Sequence, residues 1–436
     1  MLSRRFDREI FALALPALGT LAADPLVSLV DTAFVGRLGT VELGALGVNS
    51  ALFALAFFVF NFLAYGTTPM VARANARGDA AAAGRRIVQA LFLAALLGLA
   101  TLLLVQLLAK PALVAMGADR LLLEPALAYL RVRALAIPAV LLILAANGAY
   151  RGFQDTRTPF LVTLVLNLVN LALDPIFIFV LDWGIAGAAW ATVIGQWLGA
   201  LSFLWLLAGR DRSKLGPVIA VPRLAELRPF LRIGWELVVR TFVLVLTLAL
   251  ATAVAARLGV VEVATHQVAV QIWLFLSLVI DALAIAAQAL VARYLGEGVG
   301  ADARALSNRL LLLGLFLGAV LGVILWAARH LLARTFSEDP QVVAGVLAIF
   351  PFVALMQPLN ALVFVWDGIF MGMEDFRYLA WAMIASAAVG SLLLILVIPL
   401  GWGLAGVWWA IVGLSLARLL SLALRYWRPN STRVPV

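Results

Sequence analysis

Apolar residues run through this chain in blocks of about 20, bounded by short polar stretches. In hydrocarbon such a block satisfies its own backbone hydrogen bonds only as a helix. Twelve spans are expected, at roughly 10–35, 43–71, 87–109, 121–147, 159–181, 185–208, 229–256, 263–292, 308–332, 341–366, 378–398 and 403–427. One departs from a plain apolar pattern. In the fifth, Thr163, Asn167, Asn170 and Asp174 fall at spacings of four, three and four, which puts all of them on one helical stripe. A carboxylate facing lipid is costly, so this stripe faces a water-filled cavity or protein partners.

Asp31 joins it from the first span. It comes about 20 residues after the span begins near Ile10, and Asp174 comes about 15 residues into a span running the same way. Two carboxylates at similar depth in low dielectric do not both ionise easily. That is the property a proton carrier needs, so the pair is the expected coupling site of a membrane transporter. Asn167 and Asn170 offer amide donors and carbonyl acceptors that tune the acids. With Asp31 and Asp174, the carbonyl oxygen of Asn170 would also suit sodium. Pro16 and Pro25 lie inside the first span, and each removes a backbone donor and bends the helix.

Composition fixes the class. The chain has 436 residues, 64% hydrophobic and 13% charged, with mean hydropathy +1.06, more apolar sequence than a soluble interior can hide. A transmembrane barrel would alternate in short segments, and that pattern is absent. The fold class is therefore an all-α polytopic membrane protein. The net charge of +9 sits in short loops and reads as membrane orientation rather than nucleic-acid binding. The N-terminus, the even-numbered loops and the C-terminal region carry 23 of the 32 Lys and Arg residues, which places both termini in the cytoplasm. Arg4, Arg5 and Arg8 precede an apolar run too long for a cleaved signal, so the first span is retained. With no cysteine, there are no disulfides, thiol catalysis or Cys-ligated metals; two histidines, His266 and His330, make a histidine metal cluster improbable.

The two halves repeat. Adding 220 carries Arg37-Leu38-Gly39 onto Arg257-Leu258-Gly259, Glu42 onto Glu262, Gly98 onto Gly318, Pro138 onto Pro358, and Gly152 and Asp155 onto Gly372 and Asp375. After one deletion, Gly184 to Gly187 matches Gly403 to Gly406. The domains are then 1–208 and 229–436, joined by a cytoplasmic linker at 209–228. Six spans per repeat is an even number. Both halves therefore enter from one side, as two six-helix lobes related by a pseudo-twofold along the membrane normal.

These features resemble the multidrug and toxin extrusion (MATE) family, in its DinF-like branch. The resemblance rests on Val30-Asp31-Thr32 through Gly36 and Gly39, on Asn170 with Asp174-Pro175, on Thr265-His266-Gln267, and on Asp367-Gly368 through Gly372. Arg240 and Asp281 add to it. It implies two lobes in a V around a central cavity. It also implies secondary active efflux of organic cations and amphiphiles against inward protons or sodium, without enzymatic chemistry or a cofactor beyond the coupling ion. By resemblance, the first-lobe polar cluster is Asp31, Tyr129, Asn147, Asn170, Asp174 and Thr192, and the bending proline is Pro16. The seventh span offers only Glu236, near its cytoplasmic end, and Arg240, so coupling is expected in the first lobe.

In the second lobe, Arg240 and Asp281 lie at matching depth and are expected to pair, which relieves the burial cost of both. Asp367 is a second-lobe acid near the cytoplasmic mouth, and Gln267, Gln271 and Gln288 are candidate cavity-lining groups. The expected protein is a monomer in a bacterial inner membrane, exporting cationic or amphiphilic drugs against protons through Asp31 and Asp174. Sodium coupling is the near alternative. A lipid-linked sugar flippase is a further one, disfavoured because Arg240 is the single basic residue expected well inside a span. No nucleotide-binding loop, hydrolase motif or filter-like loop is present.

Overall fold

The computed structural model describes residues 2–118, 120–216, 222–336 and 339–428, and within them every regular element is a helix. Part of the expected linker, 217–221, and the tail from 429 lie outside the described residues. Nine helices are long and apolar enough to cross a membrane, and two bent pairs raise the number to 11. The twelfth expected span, 43–71, is built from α2 (Thr40–Phe60) and α3 (Phe62–Ala76), which meet at Asn61.

Two of the expected spans, 121–147 and 341–366, are bent helix pairs. The first is α5 (Arg120–Ala134) followed by α6 (Ile137–Gly152), bent by 45°; the second is α13 (Pro340–Leu355) followed by α14 (Gln357–Gly372), bent by 46°. Pro138 and Pro358 stand in the first turn of α6 and of α14. A proline there lacks the amide that would continue the preceding helix, but fits the first turn of a new one. The remaining spans are α1 (Leu2–Gly36), α4 (Ala80–Ala115), α7 (Arg157–Pro175), α8 (Gly184–Ala208), α10 (Arg228–Leu258), α11 (Val260–Gly296), α12 (Gly300–Phe336), α15 (Phe376–Val397) and α16 (Gly403–Trp427). A short helix, α9 (Arg212–Leu215), lies in the first part of the linker. Helix α7 ends in one π turn, Ile176–Val180.

Short polar side chains start several of these helices. Asp79 accepts a hydrogen bond from the Ala82 amide at 2.8 Å to cap α4, and Asp155 accepts from the Arg157 and Thr158 amides at 3.0 and 2.9 Å to start α7. Both prolines of α1 lie inside a continuous helix, and the Thr20 hydroxyl donates to the Pro16 carbonyl at 3.1 Å.

The chain groups into two compact units. One comprises residues 15–234, with a core around Ile87, Tyr150, Leu166 and Phe203. The other comprises 1–14 and 235–436, with a core around Trp273, Phe350, Val397 and Trp408. In the latter, the start of α1 is tied down by Asp7, which accepts two hydrogen bonds from Arg309 at 2.7 and 2.8 Å.

The units repeat each other in packing detail. A Cβ on Gly98 would stand 2.6 Å from the Pro138 Cα, and one on Gly318 would stand 2.6 Å from the Pro358 Cα. The turn residues Gln154 and Glu374 each adopt φ 62, a left-handed conformation unusual for side-chain-bearing residues. Both pairs are 220 residues apart. The repeat read from residue identities is thus also a repeat of helix contacts.

Candidate functional site

The polar stripe of α7 faces α1 inside the unit 15–234. Contacts between the two helices recur along their length. At the first, Gly19 is pressed against the Phe160 ring, where a Cβ would come within 2.5 Å of Cε2. Further along, the Asn167 amide donates to the Asp24 carboxylate at 3.0 Å. One heptad beyond, the Asp31 and Asp174 carboxyl groups lie in hydrogen-bonding range of each other. Asp24 to Asp31 and Asn167 to Asp174 are both seven residues, two helical turns or about 10.5 Å. The two rungs therefore share the same offset between parallel helices.

At the upper rung, the Asn170 amide donates to Asp174 Oδ1 at 3.5 Å and to the Thr192 hydroxyl of α8 at 3.4 Å; that hydroxyl in turn donates to the Ala188 carbonyl at 3.0 Å. Asp174 is fully buried and Asp31 half-buried. Asp31 Oδ1 and Asp174 Oδ2 are both buried without a hydrogen-bond donor among the described residues. Two buried acceptor oxygens with no donor, on carboxyl groups that face each other, are satisfied by a proton between them or by a cation.

Two participants escaped the sequence reading. Asp24 is one; the signal that would have found it is its seven-residue spacing to Asp31, matched by Asn167 to Asp174. Arg133 is the other. It stands in the last turn of α5, just before the break at Pro138. There it lies within electrostatic range of Asp24, Asp31 and Tyr129. Its guanidinium stands 5.3 Å from the Phe53 ring centre, and its Nη1 is buried without a hydrogen-bond partner.

Tyr129 is therefore part of the cluster through Arg133. Asn147, on α6, is buried, and its side-chain oxygen has no hydrogen-bond partner among the described residues. Pro16 lines a small cavity of about 400 Å³ with Leu15, Arg157, Phe160 and Leu161.

In the other unit, Arg240 is brought to Asp367, a partner the depth argument, which pointed to Asp281, did not name. Arg240 on α10 and Arg418 on α16 both donate through Nη2 to Asp367 Oδ2 on α14. All three side chains are largely buried, at 12, 7 and 8% exposure for Arg240, Arg418 and Asp367. Asp367 is thus an interior residue of its unit. The depth comparison missed it because it weighed neighbouring spans alone. Arg133 and Arg418 also correct the expectation that Arg240 is the single basic residue well inside a span. Asp281 is half-buried on α11, Gln288 is buried, and Gln267 and Gln271 are exposed.

Interior carboxylates and guanidinium groups on membrane-spanning helices, in two units of one repeated plan, define a transport protein. The MatE family model matches the chain twice, over residues 16–176 and 237–397, and the chain belongs to that family. Its members are transporters, not enzymes, and this chain is an efflux transporter. The chain is 39% identical to Protein DETOXIFICATION 44, chloroplastic, of Arabidopsis thaliana over 99% of its own length and 84% of that protein. It is 30% identical to DNA damage-inducible protein F of Escherichia coli (strain K12), over 97% of this chain and 93% of that one. The solved structure of MATE in the bent conformation shares the fold, with TM-score 0.87 at 20% identity over 97% of this chain and 94% of that one.

Proposed function

We propose that the chain exports cationic amphiphiles in exchange for protons that enter through the Asp31–Asp174 pair. The observation that carries this reading is the pair of buried, donorless oxygens, Asp31 Oδ1 and Asp174 Oδ2, on facing carboxyl groups. A single proton satisfies both and removes a like-charge repulsion in low dielectric. Asn170 and Thr192 hold Asp174 from the other side, so it is positioned in either charge state. Loading and unloading the proton then changes the attraction between α1 and α7, the physical link from ion to helix movement. The Lys and Arg distribution supports both termini on the cytoplasmic side; a monomer in a bacterial cytoplasmic membrane is part of the same proposal.

The test uses proteoliposomes loaded with ethidium. A pH gradient is expected to drive efflux by the wild type, and Asp31→Asn and Asp174→Asn are each expected to lower that rate at least about 100-fold, with insertion and monodispersity intact. Proton-driven efflux at the wild-type rate from either folded variant refutes the reading.

The Arg240–Asp367–Arg418 cluster favours a second reading of the substrate. Two guanidinium groups on one carboxylate leave an excess positive charge in the interior, and Arg240 Nε is buried without a partner. That composition suits an amphiphile with an anionic group. Running the same vesicles with an anionic dye of similar size separates the two readings by which dye moves.

A further inference from the structure

The site in the unit 15–234 holds three carboxyl groups, Asp24, Asp31 and Asp174, and one guanidinium, Arg133. We infer that Arg133 is a tethered counter-cation of the coupling site, and that its charge is what denies the site to sodium. This inference rests on the proton reading above and adds the ion selectivity to it.

The argument begins with what each cation requires. Sodium is a hard cation held by oxygen atoms, and it keeps its full charge when bound. The oxygens on offer are those of the carboxyl groups, the Asn170 amide and Thr192. Arg133 brings five donors and no acceptor, so it adds nothing to such a cage and competes for the same oxygens. It is held in place by α5 and by the Phe53 ring, 5.3 Å from its guanidinium. Its Nη1 is buried without a partner, and its charge is felt at Asp24 and Asp31.

A mobile sodium ion must displace a cation that is covalently attached and already desolvated. A proton has no need to. It forms a covalent O–H bond within the carboxyl pair, occupies no coordination sphere, and leaves Arg133 where it is. When the proton departs, the guanidinium remains to balance the negative charge left behind.

The experiment compares wild type, Arg133→Gln, Arg133→Met and Arg133→Lys in proteoliposomes, using ethidium efflux under an imposed sodium gradient and tryptophan fluorescence on sodium titration. Arg133→Met keeps an apolar stem over Phe53 and serves if Arg133→Gln does not fold; size-exclusion profiles report folding. Wild type and Arg133→Lys are expected to ignore sodium. The neutral variants are expected to gain sodium-driven efflux by at least about tenfold, with a saturable fluorescence change, as loss of one nearby charge predicts. A folded neutral variant that ignores sodium, in a background where the wild type runs on protons, overturns this inference alone. Equal gains in Arg133→Lys and Arg133→Gln overturn it too, since shape rather than charge would then decide. A wild type that is itself driven by sodium refutes the proton reading together with it.

Discussion

A buried carboxylate is tolerated when donors surround it, and the chain contains both a satisfied and an unsatisfied case. Asp211, in the linker outside the membrane spans, accepts from the Tyr150 hydroxyl at 2.9 Å and from Arg210 at 3.1 Å, and pairs with Lys214 at 2.8 Å. Burial pushes its carboxyl up, but the hydrogen bonds from Lys214, Tyr150 and Arg210 prevail and hold it below the usual carboxylate range. Its contribution to stability is therefore complete above the ordinary carboxylate value of about 3.9 and disappears as pH falls through the lower folded value. Asp211→Asn is expected to cost about 1–3 kcal/mol at neutral pH, with the deficit vanishing below about pH 3. Thermal melts of the detergent-solubilised protein at both pH values check it. Asp31 and Asp174 are the opposite case. Their leftover oxygens face each other, an arrangement expected where a group must take up and release a cation rather than stay fixed.

At the scale of helices, the site is a matter of register. Periodicity within α7 was enough to find Asn167, Asn170 and Asp174, because one face of one helix is legible in sequence. The partner face of α1 was half legible. Asp31 stood out as a carboxylate in an apolar run, while Asp24, beside Pro25, gave no periodic signal of its own. Only pairing the seven-residue spacings of two parallel helices reveals it, and pairing is a tertiary fact. Asp367 was not read as Arg240's partner because the two lie far apart in sequence, on α10 and α14. The breaks at Pro138 and Pro358 redirect α6 and α14 by 45° and 46°. Those breaks are packed closely: Gly98 and Gly318 admit the backbone of Pro138 and Pro358 with no room for a methyl group. Gly98→Ala and Gly318→Ala are each expected to destabilise by about 1–3 kcal/mol, by similar amounts, because the contact is the same one repeated. Melting temperatures of the two variants side by side are the measurement; a cost confined to one of them would contradict the repeat at this contact.

For the whole molecule, the repeat was readable because identical residues recur 220 positions apart, and the two family matches begin 221 residues apart. Orientation rests on charge alone, and the absence of cysteine makes it simple to measure. Single cysteines at Leu181, between α7 and α8, and at Arg77, between α3 and α4, fall in loops that the charge rule assigns to opposite sides. A membrane-impermeant maleimide is expected to label Leu181→Cys in intact cells and Arg77→Cys only after permeabilisation; the reverse pattern inverts the topology.

Helix α1 carries a last consequence. Its first fourteen residues count with the unit of the second half, while its remainder carries Asp24 and Asp31 in the unit of the first. Residues 228–234 of α10 likewise count with the first-half unit. A protease nick in the connection between the halves would therefore not yield two self-sufficient fragments. Each would retain a stub whose native neighbours are on the other piece, as in a swapped pair, and that interchange gives the transporter one indivisible scaffold for what its sequence presents as two copies.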